Sequence, residues 1–159
     1  MHVLEAGFEG AGRPLVLLLH GFPELAYSWR KVMLPLAQAG YHVVAPDQRG
    51  YGRTSGWDGH YDGDFASFRS LNLVRDALAL VFALGYRAVA GVFGHDAGAT
   101  VAGWAALVRP DVFRSVALMS APFAGPPSLP AAVPAATSIH DDLAALARPR
   151  KHYQWYYST

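Results

Sequence analysis

Two short stretches hold residue types capable of covalent chemistry. The first is Gly94-His95-Asp96-Ala97-Gly98, which follows the apolar run Ala88–Phe93. A carboxylate beside an apolar run is costly unless it is solvated, paired or chemically employed. Glycines two residues before and after Asp96 permit a sharp, strained strand-to-helix turn. Such a turn lifts its central side chain above a sheet, at a helix N-terminus where unpaired N–H groups and the helix dipole favour negative charge. Asp96 is therefore a candidate nucleophile. Aspartate is also a preferred N-cap for a helix beginning at Ala97, and it is the flanking glycines that favour the nucleophile.

The second stretch is His20-Gly21-Phe22-Pro23-Glu24, directly after the apolar run Leu15–Leu19. A loop at that strand end can aim the Phe22 N–H at the space above the sheet. With the Ala97 N–H beside the nucleophile, it would form a two-donor oxyanion hole. An ordinary strand-to-helix turn is the simpler account of the same residues. His20, at the strand end beneath the loop, reads as scaffold rather than as a base.

Positioning these groups requires a sheet with helices against it. Residues 1–6 form a short strand and Gly7–Pro14 a glycine-rich turn. Leu15–Leu19, Tyr41–Ala45, Ala88–Phe93 and Val112–Met119 are short apolar runs bounded by Gly, Pro or polar residues, as buried parallel strands are. Residues 26–39 carry Trp29, Val32, Met33, Leu36 and Ala37 at helical spacing, with Gly40 as the C-cap. Residues 47–64 are a glycine-rich loop. Residues 65–84 form a helix stopped by Gly85, and Ala97–Val108 is a helix of small residues ended by Pro110. Alternating strand and helix implies an α/β fold, a doubly wound and mostly parallel sheet with helices on both faces. After Pro122 the character changes. Residues 124–137 hold four prolines and read as an extended linker. Ser138 and Asp141 then mark a helix start, and the last nine residues, KHYQWYYST, are aromatic.

Composition limits the function classes. The 159 residues are 52% apolar, enough for one core, with a net charge of +1 and no cysteine. No basic stripe suggests nucleic acid or an anionic membrane surface. The absence of cysteine excludes a disulfide framework and a thiol nucleophile, and it suits a reducing cytoplasm. The longest apolar run, Ala77–Leu84, is too short to span a bilayer, and no secretory signal pattern follows Met1. The seven histidines show no metal-ligand spacing, so neither a metal nor a cofactor is expected. Arg49-Gly50-Tyr51-Gly52-Arg53-Thr54 lacks the lysine and spacing of a phosphate loop. Asp47 and Arg49 are expected to form a local pair.

Taken together, HGFPE (20–24), PDQRGYGRT (46–54), GHDAG (94–98) and SAPF (120–123) resemble the α/β-hydrolase fold, and within it the epoxide hydrolase branch. The resemblance covers the chain from Met1 to Thr159, and its motifs are specific in combination. It implies that residues 1–123 are the N-terminal part of the hydrolase core, and that 124–159 are the linker and the start of the cap. The rest of the cap and the C-terminal core would then be absent from these residues. A serine at the elbow would imply an esterase, lipase or peptidase. Aspartate there belongs to epoxide hydrolases and dehalogenases. Haloalkane dehalogenases place a tryptophan after the nucleophile, where this chain has Ala97. Fluoroacetate dehalogenases use elbow arginines, and Ala97–Thr100 holds no cation. The stretch Tyr153-Gln154-Trp155-Tyr156-Tyr157 resembles the start of the epoxide hydrolase cap. Tyr153 would correspond to the cap tyrosine that hydrogen-bonds the epoxide oxygen. Phe22, Trp29 and Phe123 are candidates to line an apolar substrate pocket, with core packing an equal account of Trp29.

The implied chemistry needs these residue types. A carboxylate opens the strained ring by displacement at carbon, forming an ester, and a phenol protonates the departing oxygen. A histidine, oriented by a second carboxylate, then activates water against that ester. The histidines after Asp96 are His140 and His152, both at the entry to the cap stretch, and neither is assigned as the base. Asp141 and Asp142 read as helix-start residues rather than the orienting acid. The expectation is thus a hydrolase for a small apolar epoxide that lacks its base and acid in this chain. The alternatives are a hydrolytic dehalogenase with the same ester chemistry, and a catalytically silent fragment or half of a split protein. Either fragment reading predicts association with a complementary C-terminal chain or with itself, because the parallel sheet would expose an edge and apolar faces.

Overall fold

The computed structural model describes residues 1–60, 62–123, 125 and 139–151. They fall into two compact units divided between Gly125 and Pro126. In the first unit, β1 (Val3–Ala6), β2 (Leu15–Leu19), β3 (His42–Pro46), β4 (Gly91–His95) and β5 (Val116–Met119) form one sheet in the order β1-β3-β2-β4-β5. Pairing is parallel throughout β3-β2-β4-β5, whereas β1 runs antiparallel to β3. The second unit contributes the helix Ile139–Ala144.

β2 is central, which explains its unbroken apolar sequence: all five residues are buried. Its side chains alternate between two layers. Leu15, Leu17 and Leu19 pack with Val44, Val92 and the inner residues of α2 (Ser70–Ala83) and α3 (Ala97–Val108). Val16 and Leu18 pack with Val43, Ala45, Met33 and Ala37 on the opposite face, beneath α1 (Arg30–Gln38). Burying each of these leucines stabilises the fold by about 1.5–3 kcal/mol. On the α1 side of β4 and β5 lies an open apolar groove of about 220 Å³, bordered by Val16, Leu36, Tyr41, Phe93 and Val116.

Several element boundaries differ from expectation. The segment expected as one helix over 26–39 is a 3-10 turn, Ala26–Trp29, followed by α1. The segment 65–84 likewise begins as a 3-10 turn, Phe65–Phe68, where the Asp64 side chain accepts from the Ala66 N–H. β4 starts three residues later than its apolar run, and β5 starts four later. Val89 and Phe113 make only an isolated bridge, yet both are buried beneath α2 and α3. Their hydrophobicity serves the core before the ladder begins. The antiparallel β1 agrees with a mostly parallel sheet, and its direction was not legible in the sequence because residue type does not encode strand direction. Among the described residues, no helix is long and apolar enough to cross a membrane.

Candidate active site

The C-terminal ends of β2, β4 and β5 converge on Asp96. Its backbone sits at φ 51° and ψ −120°, a left-handed conformation that favours glycine. Holding aspartate there costs about 1–3 kcal/mol, offset by the surrounding structure. The turn is gripped on both sides: the Asp96 N–H donates to Met119 O at 3.0 Å, and the Ala99 N–H donates to Asp96 O at 2.9 Å. Neither elbow glycine could carry a side chain. A Cβ on Gly94 would collide with the Gly98 backbone, and one on Gly98 would collide with Leu19 and His20 carbonyls. Small residues here let the start of α3 lie directly on β2.

The Asp96 side chain makes no N-capping hydrogen bond to α3. Its Oδ1 instead accepts the Phe22 N–H at 3.0 Å. This contact depends on Gly21, where a Cβ would fall 2.5 Å from Asp96 Cβ and 2.9 Å from His95 O. The Phe22–Pro23 peptide is cis. Ala97 is exposed as the first residue of α3, where N–H groups have no partner within the helix. The N-cap account of Asp96 therefore loses its required bond, and the carboxylate faces the Phe22 N–H instead.

His20 is fully buried. Its Nε2 accepts the Gln48 N–H at 3.0 Å, so the proton resides on Nδ1, which donates to Gly21 O at 2.9 Å. The Gln48 side-chain amide returns a bond to His20 O at 2.6 Å. With both ring nitrogens engaged, His20 shapes the loop and has no lone pair for chemistry. Beside it the Tyr51 ring packs edge-on at 4.8 Å. Burial pushes the Tyr51 phenol up, and the Asp96 carboxylate pushes it the same way.

Three residues around Asp96 carry more of the geometry than the sequence revealed. Glu24 accepts the Gly21 N–H at 3.2 Å and pairs with His95 Nδ1 at 2.9 Å. Burial pushes its carboxyl up, but the His95 and Gly21 hydrogen bonds outweigh that and hold it below the usual range. Glu24 and His95 were visible as polar residues inside the two motifs, but only their meeting gives them a role. Tyr51 gave no signal beyond its place in a glycine-rich loop.

The remaining candidates are dispersed. Trp29, Ser28, Glu24, His95 and Met119 line a cleft of about 190 Å³. The Trp29 indole N–H is buried with no hydrogen-bond partner among the described residues. Phe22 is exposed. Phe123 lies over Gly103 of α3 and packs edge-on against Trp104 at 5.5 Å. Tyr153 and His152 lie outside the described residues, and His140 lies in the helix of the second unit.

The Asp47–Arg49 pair is a correction. Arg49 reaches α2 instead, making a bidentate contact with Asp76 at 2.8 and 2.6 Å. Asp47 is buried and serves backbone donors: Oδ1 accepts the Ala26 N–H at 2.9 Å, and Oδ2 accepts the Arg53 N–H at 3.0 Å. His2 Nδ1 also meets Oδ2 at 2.9 Å, and the Thr54 hydroxyl donates to Asp47 O. Both residues lie past the end of β3, where the chain leaves the regular extended strand, so two-residue spacing did not make these neighbours a pair.

A mostly parallel sheet carrying a strained acidic elbow and a facing backbone donor defines a class. The alpha/beta hydrolase fold family matches residues 14–147, and this chain belongs to that family. Its similarities are narrower still. It is 45% identical over 123 residues to an epoxide hydrolase of Caballeronia sordidicola, covering 77% of this chain and 34% of that protein. It is 44% identical over 122 residues to epoxide hydrolase A of Mycobacterium tuberculosis, covering 77% of this chain and 35% of that one. Among solved structures, an epoxide hydrolase from an endophytic Streptomyces superposes with a TM-score of 0.68 at 45% identity, over 77% of this chain and 34% of the other. Epoxide hydrolase A of Mycobacterium thermoresistibile gives 0.66 at 44% identity, over 73% and 34%. The chain thus spans about a third of the length of these relatives.

Proposed function

We propose that this chain carries the ester-forming part of an epoxide hydrolase site, with Asp96 as nucleophile. The observation that carries the reading is the 3.0 Å bond from the Phe22 N–H to Asp96 Oδ1. It divides the labour between the two carboxylate oxygens. Oδ2 attacks an epoxide carbon, the C–O bond breaks, and its electron pair leaves on the ring oxygen. Tyr153 is the proposed proton donor to that oxygen. Oδ1 becomes the carbonyl oxygen of the new ester, already facing a donor.

When water then attacks the ester carbonyl, the negative charge develops on Oδ1. The Phe22 and Ala97 N–H groups are the proposed oxyanion hole for it. Collapse breaks the bond from the carbonyl carbon to the alkyl oxygen, which takes up a proton that came from the attacking water, releasing a diol and restoring the Asp96 carboxylate. The histidine that deprotonates the water, and its carboxylate, are not assigned among these 159 residues. Phe22, Trp29 and Phe123 are proposed to contact the apolar part of the substrate. The relatives named above are epoxide hydrolases, and Ala97 occupies the position where a haloalkane-cleaving site would want a tryptophan; both favour an epoxide.

The test is the intact mass of the protein before and after exposure to a reactive aryl epoxide, beside Asp96→Ala. The expected result is a gain of one epoxide mass in the parent chain and none in the variant. An unmodified parent chain with native-like circular dichroism, or an equal gain in the variant, overturns the assignment.

A further inference from the structure

We propose that Glu24 is a positioning residue: a single carboxylate oxygen that ties the Phe22 loop to the Asp96 elbow and so sets the contact between them. The proposal rests on the reading of Asp96 as nucleophile and adds a residue to it. Glu24 Oε2 accepts both the Gly21 N–H, at 3.2 Å, and His95 Nδ1, at 2.9 Å. Gly21 and His95 are the residues immediately before Phe22 and Asp96. One acceptor therefore holds both chain segments one residue away from the reactive hydrogen bond.

The surrounding geometry leaves this arrangement little slack. The Glu24 N–H donates to Gly21 O at 3.0 Å, closing a tight turn around Phe22 and Pro23. Gly21 lies so close to the elbow that even a methyl group would meet Asp96 Cβ. The His95 and Glu24 side chains are 39% and 33% exposed, and a pair that open to water contributes little to stability on its own. Its consequence is geometric: the Phe22 bond to Oδ1 orients the carboxylate so that Oδ2 can attack, and a misplacement of about 1 Å in an attacking group costs on the order of a hundredfold in rate.

Glu24→Ala removes the acceptor, whereas Glu24→Gln retains a neutral side-chain oxygen that can accept from both donors. Two readouts on the full ¹⁵N-labelled chain separate this proposal from the reading beneath it. The Phe22 amide resonance reports the hydrogen bond to Asp96, and the rate of mass gain with an aryl epoxide reports ester formation. The expected result for Glu24→Ala is an upfield shift of the Phe22 amide and a tenfold to hundredfold slower mass gain, on the order set by such displacements. Glu24→Gln is expected to restore most of both. An unmoved Phe22 amide in a folded Glu24→Ala overturns the proposal while leaving the nucleophile assignment intact. Should the parent chain take up no epoxide, the nucleophile assignment fails, and the Phe22 resonance alone decides the clamp. Should Glu24→Ala fail to fold, His95→Ala, which removes the other arm, decides it by the same resonance.

Discussion

Phe22 and Asp96 stand 74 residues apart in the chain, and a 3.0 Å hydrogen bond joins the backbone of one to the side chain of the other. The bond exists because β2 and β4 are parallel neighbours whose C-terminal ends finish side by side, with Leu19 opposite Gly94. The loop after one strand therefore hangs over the elbow after the other. In the proposed reaction this contact assigns Oδ1 to the ester carbonyl and leaves Oδ2 to attack. Asp96→Asn keeps an acceptor for Phe22 but lacks the nucleophilic charge. It is expected to remain folded and to gain no mass with an aryl epoxide.

The elbow stores strain that can be measured without any substrate. Asp96→Gly and Asp96→Ala both delete the side-chain contact with Phe22, yet only glycine relaxes at φ 51°. The glycine variant is expected to be more stable than the alanine variant by about 1 kcal/mol, read as a difference in urea midpoints. Equal midpoints would mean that the turn is not strained.

Gly98 is expected to be intolerant of any side chain. A Cβ there meets the backbone carbonyls of Leu19 and His20, and backbone inside a sheet cannot yield as a flexible side chain does. Gly98→Ala should cost about 3 kcal/mol, at the upper end for overpacking. Gly12→Ala is a useful contrast: nothing lies near its Cβ, and only its positive φ opposes the change, so its cost should be near 1 kcal/mol. Equal losses for the two would remove the close approach of α3 to β2 as the cause.

Asp47 should give the fold a distinct acid sensitivity. Burial pushes its carboxyl up, but the Arg53 and Ala26 N–H groups and His2 outweigh that and hold it below its ordinary value. A carboxyl depressed on folding contributes stability that is fully present above its unfolded pKa, ~3.9. That contribution is lost as pH falls through the lower folded value. Denaturant midpoints between about pH 5 and pH 2 should therefore fall for the parent chain more steeply than for Asp47→Asn. At neutral pH Asp47→Ala should cost about 1–3 kcal/mol, because the Ala26 and Arg53 N–H groups lose their acceptor. Parallel curves for the two chains would assign the acid sensitivity to other carboxyls.

The bidentate Arg49–Asp76 contact, with side chains 25% and 22% exposed, anchors the loop after β3 to α2. A double-mutant cycle with Arg49→Met and Asp76→Asn should show a coupling of about 1 kcal/mol. Arg49→Lys should recover only part of it, since an ammonium cannot reproduce the forked geometry. A coupling near zero would show that solvent screens the pair.

The features legible in residue types alone are local. The apolar runs Leu15–Leu19 and Tyr41–Ala45 place buried strands to within a residue, because a central parallel strand must be hydrophobic on both faces. Gly94 and Gly98 around Asp96 announce an elbow, because only such residues let a helix start that close to a sheet. Where hydrophobicity served the core instead of the ladder, at Val89 and Val112, the boundaries moved. Tertiary structure decided the rest. The antiparallel direction of β1 and the partner of Arg49 are not carried by residue type or spacing. The meeting of Glu24 with His95 and of Phe22 with Asp96 is set by strand order, which brings together loops some 70 residues apart. Periodicity reports which face of an element is buried, and it is silent on which element arrives to bury it.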